Sequence, residues 1–244
     1  MAAGLLAPDA APAVATDAKQ VKVAVAANFT EPARVIATAF EKATGNRLIL
    51  SFGSTGQFFA QIKQAAPFEV FLAADKATPT KAVEEGLAVP GTQFTYALGK
   101  LVLYSTMPAL ATGESALKSP KFAKIAIANP ATAPYGAAAL EVMKALGVHD
   151  VLAGKIVQGQ NIGQAYQFVA SGNAEIGFVA LSQIAEVDGG SRWVVPGNLH
   201  KPILQDAVLL RVGEGNPAAR ALLDYLKGKD AQAVIEKFGY GIGQ

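Results

Sequence analysis

The chain contains no cysteine and only two histidines among its 244 residues. The lack of cysteine excludes disulfides, cysteine-ligated zinc and thiol catalysis, although it says little about the cellular compartment. Neither His149 nor His200 stands beside a recognisable nucleophile motif, and no G-x-S-x-G, HExxH or Rossmann fingerprint occurs. We therefore predict that the chain is not an enzyme, and a hydrolytic enzyme is the less favoured alternative.

Charged residues are also scarce, since they make up 16% of the chain with a formal net charge of +2. Such a chain has no basic field that would neutralise phosphates, so we expect no nucleic-acid partner. The lack of a DNA-binding segment also argues against the effector-binding module of a regulator. No apolar run approaches the length of a transmembrane helix. The hydrophobic content of 51% is ample for the core of one large domain or two modest ones.

The start of the chain, residues 1–19, is rich in Ala and Pro and contains no basic residue before Lys19. Ala13-Val14-Ala15 has the small-x-small pattern of a signal-peptidase site, but the charged and apolar regions that precede such a site are missing. Two interpretations stay open for this segment: the trailing end of a trimmed export signal, or a disordered linker.

From Val21 onward, short apolar runs alternate with amphipathic helical patterns, and the alternation starts afresh after residues 98–104. This order is typical of α/β layers, and we expect parallel sheet throughout. Strands are predicted at 21–27, 48–50, 70–73, 98–104, 125–128, 155–157, 176–179, 193–195, 203 and 207–212.

One stretch, Ser51-Phe52-Gly53-Ser54-Thr55-Gly56-Gln57, joins a strand pattern to a helix pattern and places Ser54 and Thr55 at the helix start. A helix start offers unpaired backbone N–H groups and a partial positive charge, and two hydroxyl donors are added here, which together suit a multiply oxygenated anion. An ordinary capped helix after a glycine turn fits the same residues. A nucleotide P-loop does not, because the Lys of GxxxxGK[ST] is missing.

Five blocks along the chain resemble the periplasmic molybdate-binding proteins of ABC importers. They are VAANFT at 25–30, SFGST at 51–55, PFEVFLAAD at 67–75, PYG at 134–136 and YLKG at 225–228. Each block is short, so the resemblance is specific in the ordered set, and it covers the chain from about Val21 to the end.

The resemblance implies an α/β fold, that of a two-lobed type II periplasmic binding protein. Each lobe would hold a mixed, mostly parallel sheet flanked by helices, and two crossing strands would form the hinge. The crossings are expected near 98–101 and near 203–207. The implied division is 20–98 plus 206–244 for lobe 1 and 99–205 for lobe 2, with 1–19 outside both.

The resemblance also implies an oxyanion site made of neutral hydrogen-bond donors at four strand-to-helix junctions. Asn28 would donate through its amide and Thr55 through its hydroxyl. Ile162 would donate through its backbone N–H, as would Tyr135. Some members carry a Tyr where this chain has Ala180, and we hypothesise that the Tyr135 hydroxyl replaces it. Secondary contributions are assigned to Ala27 and Ser54.

The function implied is high-affinity capture of molybdate, with tungstate as a second ligand, and delivery to the permease and ATPase of an ABC importer. The protein would act in the periplasm as a monomer, without a cofactor and without a directly ligated metal, because molybdenum enters only as its oxyanion. A donor-only site without Arg or Lys selects a fully deprotonated tetrahedral dianion and disfavours protonated phosphate. A binding protein for another oxyanion, such as sulfate, is the alternative.

Overall fold

The computed structural model describes residues 19–119 and 121–242. The two interpretations of the Ala- and Pro-rich start concern residues that lie almost wholly outside that part. The strands are β1 Gln20–Ala26, β2 Arg47–Gly53, β3 Val70–Leu72, β4 Phe94–Gly99, β5 Leu101–Ser105, β6 Ile125–Ala128, β7 Ile156–Gly159, β8 Ile176–Ala180, β9 Ser191–Val194 and β10 Ile203–Leu209. The helices are α1 Thr30–Thr44, α2 Thr55–Lys63, α3 Ala77–Glu84, α4 Pro134–Ala145, α5 His149–Leu152, α6 Ile162–Ala170, α7 Pro217–Lys227 and α8 Lys229–Lys237.

Within the described residues the strands form two sheets, with the order β2-β1-β3-β10-β4 in the first and β7-β6-β8-β5-β9 in the second. We call each sheet with the helices packed on it a lobe, lobe 1 and lobe 2. This confirms the predicted two-lobed α/β architecture with mixed sheets.

Parallel and antiparallel neighbours are equally frequent in the described part of the two sheets. Four pairs are parallel, β1 with β2 and β3, and β6 with β7 and β8. Four are antiparallel, β10 with β3 and β4, and β5 with β8 and β9. The expectation of parallel sheet throughout is therefore wrong. A helical crossover within one lobe keeps strands parallel, whereas β5 and β10 each enter their sheet directly from the other lobe.

The chain passes between the lobes twice. It leaves lobe 1 at Gly99 and enters lobe 2 at Leu101, so the single strand predicted over 98–104 is in fact two strands in two sheets. Periodicity did not show this break because mainly apolar residues lie on both sides of it, although only Tyr96 and Ala97 are buried in β4 whereas all of β5 is buried. The return passage lies between Val194 and Ile203. The division into 20–98 plus 206–244 and 99–205 stays a proposal at the level of single residues.

Each lobe has its own apolar core. In lobe 1, α1, α7 and α8 cover one face of the sheet around Phe29 and Phe40, and α2 and α3 cover the other face around Phe71. Lobe 2 is built around Leu103, Ile127 and other buried side chains. None of the helices that the structure describes has the length and apolar character needed to cross a bilayer.

The topology brings helix starts together. In lobe 1 the parallel strands β1 and β2 end in register at Ala26 and Gly53, and in lobe 2 β6 and β7 end in register at Ala128 and Gly159. The elements that follow these strands begin at the carboxyl edge of each sheet, which is where open α/β sheets bind ligands.

Candidate functional site

A small cavity lies between the lobes, where these helix starts meet. The centre of a water-sized sphere can move within only about 10 Å³ of it, so an organic ligand of ordinary size, which needs hundreds of Å³, is excluded. All six residues predicted from the sequence line its wall. The lining residues are Ala27, Asn28, Ser54, Thr55, Tyr135 and Ile162, together with Ala26, Gly53, Ala74, Ala133, Pro134 and Asn161.

The cavity wall carries no charged side chain. Its polar groups are hydroxyls, amides and the backbone N–H groups of first helical turns, which have no acceptor within their own helices. Helix starts also carry a partial positive charge. The wall therefore suits an anion held by neutral donors and helix dipoles.

Thr55 is the first residue of α2, and its side chain is 1% exposed. Its Oγ1 accepts a hydrogen bond of 3.0 Å from the backbone N–H of Ala74, which lies just after strand β3. Because the acceptor role of the hydroxyl is filled, its own proton is left for a ligand in the cavity. The preceding Ser54 forms a capping box with Gln57, at 3.4 Å in both directions, which fixes the start of α2.

Asn28 lies in the 3-10 turn Ala27–Phe29 between β1 and α1, and it is 2% exposed. Neither this turn nor helix α1 is capped by a side chain, so Asn28 is not a helix cap. Its Nδ2 donates to Oε1 of Gln205 at 2.8 Å and to the hydroxyl of Tyr240 at 2.9 Å. In this orientation both amide hydrogens are engaged within the protein, and the buried Oδ1 has no hydrogen-bond partner among the described residues.

The two junctions of lobe 2 present backbone groups. Tyr135 is the second residue of α4, and Ile162 is the first residue of α6. The side chain of Ile162 belongs to the apolar core of lobe 2, and Asn161 caps the helix by accepting a 3.0 Å hydrogen bond from the N–H of Gln164. The hydroxyl of Tyr135 accepts a 3.1 Å hydrogen bond from Nε2 of Gln205, on the hinge strand β10.

Gln205 stands at the centre of a buried polar network beneath the cavity. Its side chain contacts Asn28 and Tyr135, and its Oε1 also accepts from the hydroxyl of Tyr96 at 3.1 Å. Burial raises the pKa of Tyr240 to about 12 and lifts the pKa values of Tyr96 and Tyr135 well above the usual phenol range. All three phenols therefore stay neutral and keep their protons as donors.

Three contacts join the lobes around the cavity. The backbone N–H of Gly56 in α2 donates to the carbonyl of Thr132 in lobe 2 at 2.9 Å. The hydroxyl of Ser182, which follows β8 in lobe 2, donates to the backbone carbonyl of Asn28 at 2.7 Å and lies 2.9 Å from the hydroxyl of Tyr240. Groups from both lobes therefore surround the cavity at hydrogen-bond distance of one another.

A larger groove, of about 430 Å³, opens between the lobes and shares Ala74, Ala133 and Pro134 with the cavity. It carries charged side chains, among them Asp75 and Lys201. Burial is the main cause that raises the pKa of the Asp75 carboxyl above its usual value, against the hydrogen bonds that it accepts from Thr78. The groove, whose surface is mostly apolar, thus brings a few charged groups next to the neutral cavity.

Reasoning from the sequence missed the residues behind the cavity wall. Gln205 and Tyr240 order Asn28, and Ser182, just after β8, contacts the backbone of Asn28. Only Gln205 left a signal, since it interrupts the apolar pattern of β10 together with Asp206. The remaining contacts join distant parts of the chain, which no local pattern reveals.

Residues 21–241 match the family described as bacterial extracellular solute-binding protein. The chain belongs to this family. Relatives of this solute-binding protein include the molybdate-binding protein ModA of Azotobacter vinelandii, 54% identical over 99% of this chain and 95% of that protein. The molybdate-binding protein ModA of Rhodobacter capsulatus is 55% identical over 91% of this chain and 88% of that protein.

Solved structures agree with these similarities. The periplasmic molybdate-binding protein of Azotobacter vinelandii superposes with a TM-score of 0.89 and 40% identity, covering 92% of this chain and 100% of that one. The sulfate-binding protein SubI of Mycobacterium tuberculosis superposes with a TM-score of 0.78 over 92% of this chain and 87% of that one, but at 11% identity. Because its sequence identity is so low, the similarity to SubI is evidence for the fold of this solute-binding protein and for nothing further.

The two histidines of this solute-binding protein lie away from the cavity. His149 contacts the carboxylate of its neighbour Asp150 at 2.9 Å in an exposed position, and His200 contacts a backbone carbonyl. Within residues 19–119 and 121–242, no group of three or more His, Cys, Asp and Glu side chains is placed to hold a metal ion.

Proposed function

We propose that the chain captures molybdate in the cavity between its lobes and delivers it to the permease and ATPase of an ABC importer. The observation that carries this proposal is the neutral cavity, completed by helix starts from both lobes and too small for an organic ligand. The two relatives named as molybdate-binding proteins, each more than half identical over nearly the whole chain, support the choice of oxyanion.

The proposed ligand groups are those of the cavity wall. Thr55 donates its hydroxyl proton, Ile162 and Tyr135 donate their backbone N–H groups, and Asn28 donates from its side-chain amide. Ala27 and Ser54 contribute backbone or supporting contacts. These donors hold the fully deprotonated dianion, because a protonated anion needs an acceptor for its own O–H group.

In this proposal, binding of the oxyanion and closure of the two lobes occur together. An oxyanion between helix starts of the two lobes contacts both at once, so it stabilises the joined arrangement over the separated one. That difference is what allows a membrane permease to tell the loaded protein from the empty one. Tungstate, which has the same charge and shape, is the second proposed ligand.

The remaining parts of the proposal follow from this role. The protein works in the periplasm, as a monomer, without a cofactor and without enzymatic activity. A binding protein needs no nucleophile or general base beside its ligand, and the cavity wall offers neither a carboxylate nor an imidazole.

Calorimetric titration with a panel of oxyanions tests the proposal. We expect tight binding of molybdate and tungstate, weak or no binding of sulfate and phosphate, and a rise of the melting temperature only with the first two. Equal affinity for molybdate and sulfate would overturn the proposed specificity. No heat and no thermal shift with any of the four anions would overturn the proposed function.

A further inference from the structure

Asn28 presents the wrong end of its amide to an oxyanion. Its Nδ2 points to Gln205 and Tyr240, neither of which lines the cavity, whereas Asn28 itself does. The other end, Oδ1, is buried and has no hydrogen-bond partner among the described residues, and because Nδ2 is turned away we assign Oδ1 to the cavity side. A carbonyl oxygen repels an oxyanion, and a buried carbonyl without a donor is itself unfavourable.

The contacts of Gln205 offer a way to turn the amide around. A terminal amide rotates about a broad, roughly two-fold torsion, and its oxygen and nitrogen differ little in size. If Asn28 alone turned, two acceptors, its Oδ1 and Oε1 of Gln205, would face each other at the present 2.8 Å separation. If both amides turn together, Nε2 of Gln205 donates to Oδ1 of Asn28 instead.

We propose that Asn28 and Gln205 form a reversible amide pair, and that a bound oxyanion selects the orientation in which Nδ2 of Asn28 faces the cavity. This inference rests on the proposed function. It makes Gln205 a positioning residue, which acts on the ligand through Asn28 without touching it.

Every neighbour of the pair accommodates the reversal without moving its heavy atoms. The hydroxyl of Tyr240, 2.9 Å from the Asn28 amide, turns its proton to Oδ1 and gives up its 2.8 Å hydrogen bond to the backbone carbonyl of Asn28. The hydroxyl of Tyr96 accepts from Nε2 of Gln205 and keeps its own 3.1 Å contact to the carbonyl of Ala73 as donor. The hydroxyl of Tyr135 changes from acceptor to donor toward Oε1 of Gln205. Such rotations are open to phenols, whose protons turn to suit their partners.

The backbone around the pair is built to hold it. The register between β10 and β4 shifts between Gln205 and Asp206, where Tyr96 of β4 is the extra residue, and Gln205 is fully buried beside it. The backbone carbonyl of Asn28 accepts from Ser182 at 2.7 Å and from the hydroxyl of Tyr240 at 2.8 Å, and it keeps the Ser182 contact when the Tyr240 proton turns away, so the side chain turns on a fixed main chain. In the reversed pair the hydroxyl of Tyr135 is committed to Gln205, so Tyr135 serves the oxyanion through its N–H alone.

Nuclear magnetic resonance of the 25.1 kDa protein saturated with molybdate tests the orientation directly. The side-chain amide signals of Asn28 and Gln205 are assigned from their loss in Asn28→Asp and Gln205→Met. We expect the amide protons of Gln205 to contact the ring of Tyr96, and those of Asn28 to lack contacts with the ring of Tyr240. Amide protons of Gln205 beside the Tyr135 ring, with those of Asn28 beside Tyr240, would overturn the inference while molybdate binding itself stands. An absence of molybdate binding in calorimetry would instead overturn the proposed function.

Two substitutions of Gln205 give a second measurement. In Gln205→Glu, measured at a pH at which the buried carboxyl is ionised, the side chain only accepts, so it holds Nδ2 of Asn28 away from the cavity, and we expect molybdate affinity to fall on the order of a hundredfold. Gln205→Met leaves Asn28 free to turn, so its loss of affinity should be clearly smaller.

The added charge of the Glu variant is controlled with hydrogenarsenate, which at mildly alkaline pH has the charge of molybdate and carries one proton. The added negative charge weakens the binding of both anions. An Oδ1 held toward the cavity weakens the binding of molybdate only, because molybdate has no proton to donate to it. We expect the ratio of molybdate to arsenate affinity to fall in Gln205→Glu. An unchanged ratio would overturn the inference.

Discussion

Gly56 contacts the other lobe beside the cavity, and Gly56→Ala tests whether this contact belongs to the ligand-bound form. An added Cβ would lie 3.0 Å from Cα of Thr132, 3.2 Å from its Cβ and 3.2 Å from its carbonyl oxygen. Ordinary van der Waals contacts are several tenths of an ångström longer. The nearest atom is backbone of the other lobe, so the clash is relieved by separating the lobes.

The magnitude follows from the cost of one extra methyl group in a filled space, about 1–3 kcal/mol. Because this cost falls on the joined lobes and not on the separated ones, the dissociation constant for molybdate should rise about 5- to 150-fold. Within α2, the exchange of Gly for Ala favours the helix slightly. The melting temperature without ligand should therefore stay the same or rise.

Calorimetry and thermal melting of Gly56→Ala measure the two effects, with Gly154→Ala as the matched control. A Cβ at Gly154 meets nothing within 4 Å, so both properties should stay as in the wild type. Unchanged molybdate affinity in Gly56→Ala would show that the 2.9 Å contact between Gly56 and Thr132 is absent from the bound protein. A lower melting temperature without ligand would show that the clash acts within lobe 1.

Three further predictions concern the cavity wall and its approach. Thr55→Ala and Asn28→Ala should each weaken molybdate binding by about 1–3 kcal/mol in calorimetry, because a hydrogen bond to a buried charged ligand is lost. The control Thr55→Ser keeps the hydroxyl, so its affinity should stay within a few-fold of the wild type. Tyr135→Phe should weaken binding by less than about tenfold, since its hydroxyl contacts Gln205; a larger loss would show that the hydroxyl reaches the ligand. Asp75→Asn should gain stability over the wild type in denaturant melts as pH rises. The reason is that the pKa of Asp75 is raised in the folded protein, so the wild type loses stability as pH rises from the ordinary carboxyl pKa of 3.8 to the higher folded pKa, whereas Asn does not ionise. A difference between the two proteins that does not change with pH would contradict this.

Local signals predicted two of the four junctions as strand ends followed by capped helices. Thr55 follows an apolar run and precedes a helical pattern, and the structure places it as the first residue of α2 on the cavity wall. Ile162 was found in the same way, as the start of α6. The junctions at Asn28 and Tyr135 have no side-chain cap, and the prediction that they belong to the site came from the family resemblance.

The orientation of the polar groups at the junctions could not be predicted from the sequence, because it depends on residues that are distant along the chain. The partners of the Asn28 amide are 177 and 212 residues away along the chain. A register shift between β10 and β4 accompanies one of them, and the segment after α8, bridged to Leu98 at Gly241, carries the other. The passage at Lys100 was hidden for a related reason, since mainly apolar residues lie on both sides of it although they belong to different sheets.

A ligand can shift the balance between separated and joined lobes because the polar contacts around the cavity are individually weak. Hydrogen bonds between neutral groups join the lobes there, at Gly56, Ser182 and Tyr135. Each such bond is worth about 0.5–1.5 kcal/mol net, so these bonds contribute a few kcal/mol beside the apolar contacts and the Lys237–Glu186 ion pair that also join the lobes. A dianion that receives donors from helix starts on both sides adds charge-assisted bonds of about 1.5–3 kcal/mol each, and it receives the full set only when the lobes meet. The same donors that hold the anion therefore shift the balance between separated and joined lobes, without any additional switch in the fold.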